Sequence, residues 1–189
     1  ALCQVLPFAT KCKNLHLEDV DITSKRAHIL ARAIAPLVEL RVLDLSKNEI
    51  GAEGVQALIP ALQGMTKLHA LYLTGNDIGS AGVEALVPAL KCMKELQSLN
   101  LAKNGIDSAG AIALAKVMQE AKMDKLTALV LSRNDIDADG IKALAPAIKQ
   151  CTRLQGLDLS FNKMGTEGAK LLVPVVPELK YLRLLNLCR

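Results

Sequence analysis

Five asparagines, Asn48, Asn76, Asn104, Asn134 and Asn162, each close the pattern L-x-x-L-x-L-x-x-N, at successive spacings of 28, 28, 30 and 28 residues. A period of this length means one supersecondary unit used repeatedly, and it argues against a single conventional core. The frame runs back to Cys12, Leu15 and Leu17 and forward to Leu182, Leu185 and Leu187. Seven strand segments are therefore predicted, in repeats starting near residues 12, 40, 68, 96, 126, 154 and 182. Residues 1–11 read as the helical remnant of a preceding repeat or an N-terminal cap, with Leu2 and Leu6 in step with Leu30 and Ile34; residues 12–189 read as one repeat domain. The two-residue surplus falls in "MQEAKMDKL", before Leu126, where a loop can absorb it.

Within each unit the spacing of apolar residues changes. L-x-L alternation places leucines on one face of a short strand, and later residues such as Val55, Leu58 and Leu62 recur at helical intervals. Strand and helix must share one thin core, which a lone unit cannot bury. Stacking on neighbours covers both faces of each layer. The composition agrees, because two Phe, two Tyr and no Trp leave an aliphatic core suited to repeated layers.

The copies "LRVLDLSKNEIGAEG", "LHALYLTGNDIGSAG", "LTALVLSRNDIDADG" and "LQGLDLSFNKMGTEG" resemble the leucine-rich repeats of the ribonuclease-inhibitor-like class, and the resemblance covers nearly the whole chain. It implies an α/β solenoid, a curved right-handed arc of about seven strands with a concave parallel β-sheet and convex helices. It also implies a non-enzymatic protein–protein interaction module, with the recognition or regulatory repeats of larger intracellular receptors or scaffolds as the nearest analogy. The sensor or autoinhibitory repeats of nucleotide-binding receptors are of this kind, although no nucleotide-binding domain is present. The alternative the resemblance offers is a GTPase-activating or GTPase-regulating protein of the Ran GTPase-activating type. Against it, the acidic tail of those proteins is missing and no catalytic residue of theirs matches a position here. Ribonuclease inhibitors alternate two repeat types and are cysteine-rich, whereas every full repeat here uses Asn, which argues against that activity.

The recurring residues have structural work to do. A carboxamide at Asn48, Asn76, Asn104, Asn134 and Asn162 can satisfy backbone groups buried where the chain turns inward, a ladder that asks for no ligand. Val20 replaces this Asn in the first repeat and Arg26 stands where later repeats have glycine, so an irregular first repeat is expected. Gly54, Gly82, Gly110, Gly140 and Gly168 mark where each helix begins and its backbone comes close to the sheet. A phosphate-cradling loop is the functional rival, but no G-x-x-x-x-G-K-S/T occurs. Asp107 and Asp137 are expected to cap helices where other repeats use glycine, while Glu53, Asp139 and Glu167 favour the helix dipole. Pro60, Pro88, Pro146 and Pro174 recur within the predicted helices, where a proline costs about 3 kcal/mol. Each helix is expected to bend there or to have a loose turn ahead, with the lost hydrogen bond facing water.

Recognition belongs to positions that the core does not claim. The central strand column reads His16, Asp44, Tyr72, Asn100, Val130, Asp158 and Asn186, a mixed surface suited to a specific partner. Arg41 and His69, at the starts of their strands, extend it. Just before each ladder position stand Asp19, Lys47, Gly75, Lys103, Arg133, Phe161 and Arg189, of which four are basic. These cations can steer an acidic partner, with Tyr72 and Phe161 as anchors. The plain reading of the same column is a set of solvated lysines that keep a repeat protein soluble. His69, Ser98 and Asp44 superficially suggest a nucleophilic triad, but an open sheet offers no pocket to exclude water or hold an oxyanion. No catalytic residue is assigned.

Composition sets the remaining bounds. A net charge of +4 falls short of the basic surface that nucleic acid demands. Cys3, Cys12, Cys92, Cys151 and Cys188 form no C-x-x-C pair, and they read as free thiols of a reducing, cytoplasmic compartment. No metal site or cofactor is expected, and His28 falls on a predicted helix. No apolar run approaches the roughly 18 residues of a membrane helix, so a soluble chain without membrane contact is expected. "LRLLNLCR" stops one residue short of the next Asn, as in an excerpt of a longer solenoid, and exposed leucines over Leu182–Leu187 would favour end-to-end self-association.

Overall fold

The computed structural model describes residues 2–188, with side chains from Gln4 onward. A short helix α1 (Leu2–Val5) and a 3₁₀ turn (Leu6–Phe8) come first. Strands and helices then alternate: β1 (Asn14–His16), α2 (Ser24–Ile34), β2 (Val42–Asp44), α3 (Gly51–Gly64), β3 (Ala70–Tyr72), α4 (Gly79–Cys92), β4 (Ser98–Asn100), α5 (Ser108–Ala121), β5 (Ala128–Val130), α6 (Ala138–Gln150), β6 (Gly156–Asp158), α7 (Gly165–Leu172) and β7 (Leu184–Asn186). The seven strands form one parallel sheet in chain order, as the repeat period predicts. Each strand is three residues long, and in β1–β6 its central leucine, Leu43 in β2 for example, is buried in the layer. Buried aliphatic side chains form one continuous cluster from Leu6 to Leu179.

The asparagines are buried and fully bonded, Asn76 at 0% and Asn104 at 1% exposure. Asn104 Oδ1 accepts from the N–H groups of Asn76 (2.9 Å) and Ile78 (3.4 Å), and its Nδ2 donates to the carbonyls of Leu73 (2.8 Å) and Ala102 (3.1 Å). Each carboxamide thus reaches back into the preceding repeat. Asn48 does the same in the first repeat, accepting from Val20 and Ile22 N–H, so the missing Asn at Val20 is served by its neighbour. That repeat is irregular where Arg26 replaces glycine: Thr23 caps α2 by accepting the Arg26 N–H, and Arg26 Nη1 donates to the Asp21 carbonyl at 2.7 Å.

The glycine at each helix start has a different neighbour from the one expected. A Cβ on Gly54 would lie 3.1 Å from Ser24 Cα and 3.2 Å from Ala27 Cβ; one on Gly110 would lie 2.6 Å from Ser80 Oγ. The close approach is to the side chain four residues back (Ile50, Ile78, Ile106, Ile136 or Met164, 2.6–2.8 Å from such a Cβ) and to the preceding helix, not to the sheet. It lets the helices stack at the spacing that the strands impose.

Asp107 and Asp137 cap α5 and α6, each accepting from two backbone N–H groups of the first turn. Ser80 Oγ donates to Asp107 Oδ1 at 2.6 Å and Ser108 Oγ to Asp137 Oδ1, so each cap also ties adjacent helices. In three other repeats the equivalent residue is Gly51, Gly79 or Gly165, with φ of 60°, 58° and 58°. Pro60, Pro88 and Pro146 lie inside α3, α4 and α6 with no turn lost ahead of them, and a loosened turn occurs only at Pro174, beyond the end of α7. The expectation that these positions face water holds, since all four prolines and Gln56, Glu84 and Lys142, whose carbonyls lose a donor, are exposed. The two-residue surplus is taken up where α5 ends, with Lys122 left-handed at φ 52° and its N–H on the Gln119 and Met118 carbonyls.

Asn104→Ala is expected to cost about 2–4 kcal/mol, because it leaves buried backbone groups of two repeats without partners; urea unfolding of the variant measures it. The serine hydroxyls and the helix N–H groups lower the pKa of Asp107 and Asp137. Stability from these caps is therefore complete above the unfolded value near pH 4 and lost as pH falls through the lower folded values. Asn at both positions keeps the cap without the titration. The thermal midpoint of D107N/D137N is expected to fall less steeply than wild type as pH drops below about 4.

Candidate functional site

Parallel register aligns His16, Asp44, Tyr72, Asn100, Val130, Asp158 and Asn186 across the sheet, and the row two residues earlier reads Asn14, Val42, Ala70, Ser98, Ala128, Gly156 and Leu184. The predicted central column therefore exists. Several of its members are committed to their own backbone. Asp44 Oδ1 accepts the Ser46 N–H at 2.9 Å, Asn100 Oδ1 the Ala102 N–H at 3.0 Å, and Asp158 Oδ1 the Ser160 N–H at 3.0 Å and its hydroxyl at 2.6 Å. Asn186 Oδ1 accepts the Cys188 N–H at 3.3 Å. These are Asx turns that end the strands. Between them Tyr72 and Val130 lie half-buried on the sheet face, and His16 Nδ1 stands 3.8 Å from Asp44 Oδ2.

The adjoining rim column has one backbone conformation throughout. Asp19, Lys47, Lys103, Arg133 and Phe161 take φ of 53–56° and Gly75 takes 64°, so every described residue of the column is left-handed. The column is less basic in effect than in sequence. Lys47 Nζ pairs with Glu18 at 2.9 Å, and that hydrogen-bonded ion pair raises its pKa. The Arg133 guanidinium stacks 4.5 Å from the Phe161 ring centroid. Lys103 runs along Gly75, its Cδ 3.8 Å from where a Cβ would stand. Arg189 lies outside the described residues. Tyr72 and Phe161 stand in different columns three strands apart, about 14 Å at the usual strand spacing. They do not form one anchor.

At the opposite edge, Lys67 pairs with Glu39 and Lys125 with Glu95, both at 2.6 Å, and these pairs lower the glutamate pKa values. Arg41 and His69 follow one step inward, joined through the His69 N–H and the Arg41 carbonyl at 2.7 Å. His69 Nδ1 lies 2.7 Å from the Lys67 carbonyl and Asp44 is held in its turn, so the imidazole and carboxylate of the nominal triad are engaged elsewhere. Among the described residues no group of His, Cys, Asp and Glu could hold a metal ion. Cys12, Cys92, Cys151 and Cys188 are free; Cys3 has no described side chain. Burial, with the Asp124 charge, pushes the Cys151 thiol up to about 12, which makes it unreactive.

Five segments of the chain, 40–58, 64–87, 94–115, 123–145 and 150–173, match the family model described as Leucine Rich repeat, and together they cover more than half of its length. The chain belongs to the leucine-rich repeat family. No curated protein matches its sequence. Among solved structures, the plant peptide hormone receptor RGFR1 in complex with RGF2 is 19% identical with a TM-score of 0.50, over 82% of this chain and 25% of the receptor chain. An internalin from Listeria monocytogenes is 18% identical with a TM-score of 0.38, over 93% of this chain and 67% of the internalin. The chain thus spans a quarter of the receptor chain, and the likeness is one of fold.

Sequence reasoning missed the Asx turns and the left-handed rim. The signals were present: an Asp or Asn two residues before Ser46, Ala102 and Ser160, and a glycine, Gly75, among bulky side chains. Asp158→Ala is expected to cost about 0.5–1.5 kcal/mol, because the Ser160 N–H loses its acceptor, while Asp158→Asn stays near wild type; chemical unfolding of both variants separates a structural column from one held only for recognition.

Proposed function

We propose that the chain is the non-enzymatic recognition segment of a larger cytoplasmic receptor or scaffold, of the ribonuclease-inhibitor-like class, binding a protein partner on the outward face of its sheet. Leucine-rich repeat domains are generally protein-binding modules, and the carrying observation is the face itself. One side of the parallel sheet packs on the helices. The other presents Tyr72 and Val130 half-buried beside Ser98 and Ala128, with Lys103 and Arg133 on the rim. A flat aromatic next to small side chains permits close approach of a partner, and rim cations steer it. His16, Arg41, Asp44, His69, Asn100 and Asp158 complete the surface, and Lys47 and Phe161 border it.

The subclass is supported by the full helices α3–α6, each of 13 or 14 residues. The compartment is supported by the four free thiols. Among the described residues no helix is long and apolar enough to cross a membrane. The test is affinity capture from cytosol with quantitative mass spectrometry, using wild type and the pair Tyr72→Asp and Val130→Lys. A protein retained by wild type and lost with both variants is expected; equal retention by all three overturns the reading. Small GTPases should hydrolyse GTP at the same rate with and without the chain, and acceleration would favour the GTPase-activating alternative.

A further inference from the structure

We propose that the edge of the sheet before β5–β7 binds an acidic peptide segment of a partner protein, held by Arg153 and Arg183. This deepens the recognition reading above and rests on it.

The argument begins with charge order. The residue directly before the leucine that opens each repeat (Leu40, Leu68, Leu96, Leu126, Leu154 and Leu182) reads Glu39, Lys67, Glu95, Lys125, Arg153 and Tyr181 along the stack. Signs alternate through Lys125, and the alternation closes the two 2.6 Å ion pairs, Lys67 with Glu39 and Lys125 with Glu95. At Arg153 the order breaks: a cation follows a cation, and a tyrosine follows where the next charge would fall. One row inward stand Thr127, Gln155 and Arg183, locked in register by backbone bonds from Gln155 N–H to the Thr127 carbonyl (2.7 Å) and from Arg183 N–H to the Gln155 carbonyl (2.8 Å). Arg153 in the outer row and Arg183 in the inner row place two cations on the same edge.

The described residues do not neutralise that charge. Among the described residues no carboxylate lies within ion-pairing distance of Arg153, Lys180 or Arg183. Asp124, in the turn before β5, pairs with none of them, and Glu178 is held by Lys149 at 3.2 Å. Here also an open groove of about 550 Å³ is lined by Thr127, Thr152, Arg153, Gln155 and Tyr181. Its wall holds a guanidinium, a carboxamide and three hydroxyls, and no carboxylate. Tyr181 is 63% exposed, and its ring offers a flat apolar face.

A site rich in donors, with unneutralised guanidinium groups beside an aromatic ring, fits a Glu or Asp side chain flanked by an apolar residue in an extended segment. Arg is suited to this work because its planar fork accepts a carboxylate in two parallel hydrogen bonds. Three cations at one edge fall short of the stripe that a nucleic-acid backbone needs.

The experiment selects a phage-displayed library of random short peptides on the whole chain and measures the enriched peptides against R153E/R183E and K103E/R133E, with thermal unfolding confirming that each variant folds. If R153E/R183E does not fold, R153Q/R183Q replaces it. Peptides with Asp or Glu beside an apolar residue are expected, binding about tenfold or more weakly to R153E/R183E, unchanged by K103E/R133E and weakened by Glu→Gln in the peptide. Absence of acidic enrichment, or equal binding to R153E/R183E, overturns the proposal. Loss on K103E/R133E alone overturns it too while leaving the recognition face standing, and insensitivity to both variants and to the Tyr72 and Val130 changes removes both readings.

Discussion

The structure depends on one buried carboxamide per repeat. Turning the chain inward after a strand carries backbone N–H and carbonyl groups into a region of leucines, where an unpaired polar group costs several kcal/mol. Asn48 meets that demand with both halves of its side chain: its oxygen takes the Val20 and Ile22 N–H groups, and its nitrogen serves the Leu17, Leu45 and Ser46 carbonyls. Because donors and acceptors belong to two adjacent repeats, the same bonds that close one turn fix the distance to the next. The strand register, the stacking of helices on Gly54 and Gly110 and the unbroken aliphatic core follow from that distance.

The repeat boundaries, the seven strands and the role of the asparagines were legible because they are written as spacing along one chain. Contacts between repeats were harder to read. The glycine at the helix start is equally compatible with a close sheet or a close helix, and only stacking decides that Ser80 is the neighbour of Gly110. The left-handed rim was hidden by its occupants, since lysine, arginine and phenylalanine rarely adopt that conformation and do so here because the turn demands it of every repeat. The central column misled in the opposite direction. Its variety suggested freedom, yet Asp44, Asn100 and Asp158 are chosen by their own turns.

Electrostatics also follow from stacking. Equivalent residues of adjacent repeats come close together, so the sign of one charge constrains the sign of the next. Lys67 with Glu39, Lys125 with Glu95 and Lys163 with Asp135 all obey this across 28 or 30 residues of chain. Each pair is exposed and contributes little stability, but the first two together leave the edge before β2–β5 electrically flat. A flat edge neither attracts nor repels a partner. Attraction survives only where the pairing fails.

Repeat architecture is often described as separating folding from recognition, with inward residues for one and outward residues for the other. Here the separation is incomplete. The outward Asx residues end strands, the rim shares one left-handed backbone, and Lys47 is already paired with Glu18. The outward positions still open to a partner are Tyr72 and Val130 at the centre, the small row through Ser98 and Ala128, Lys103 and Arg133 on one rim and Arg153 with Arg183 on the other edge. A ligand that engages these must span the sheet across several strands. Its affinity then depends on the stacking distance that the asparagines set, so a lost carboxamide in the middle of the stack weakens binding through geometry even where it touches no ligand.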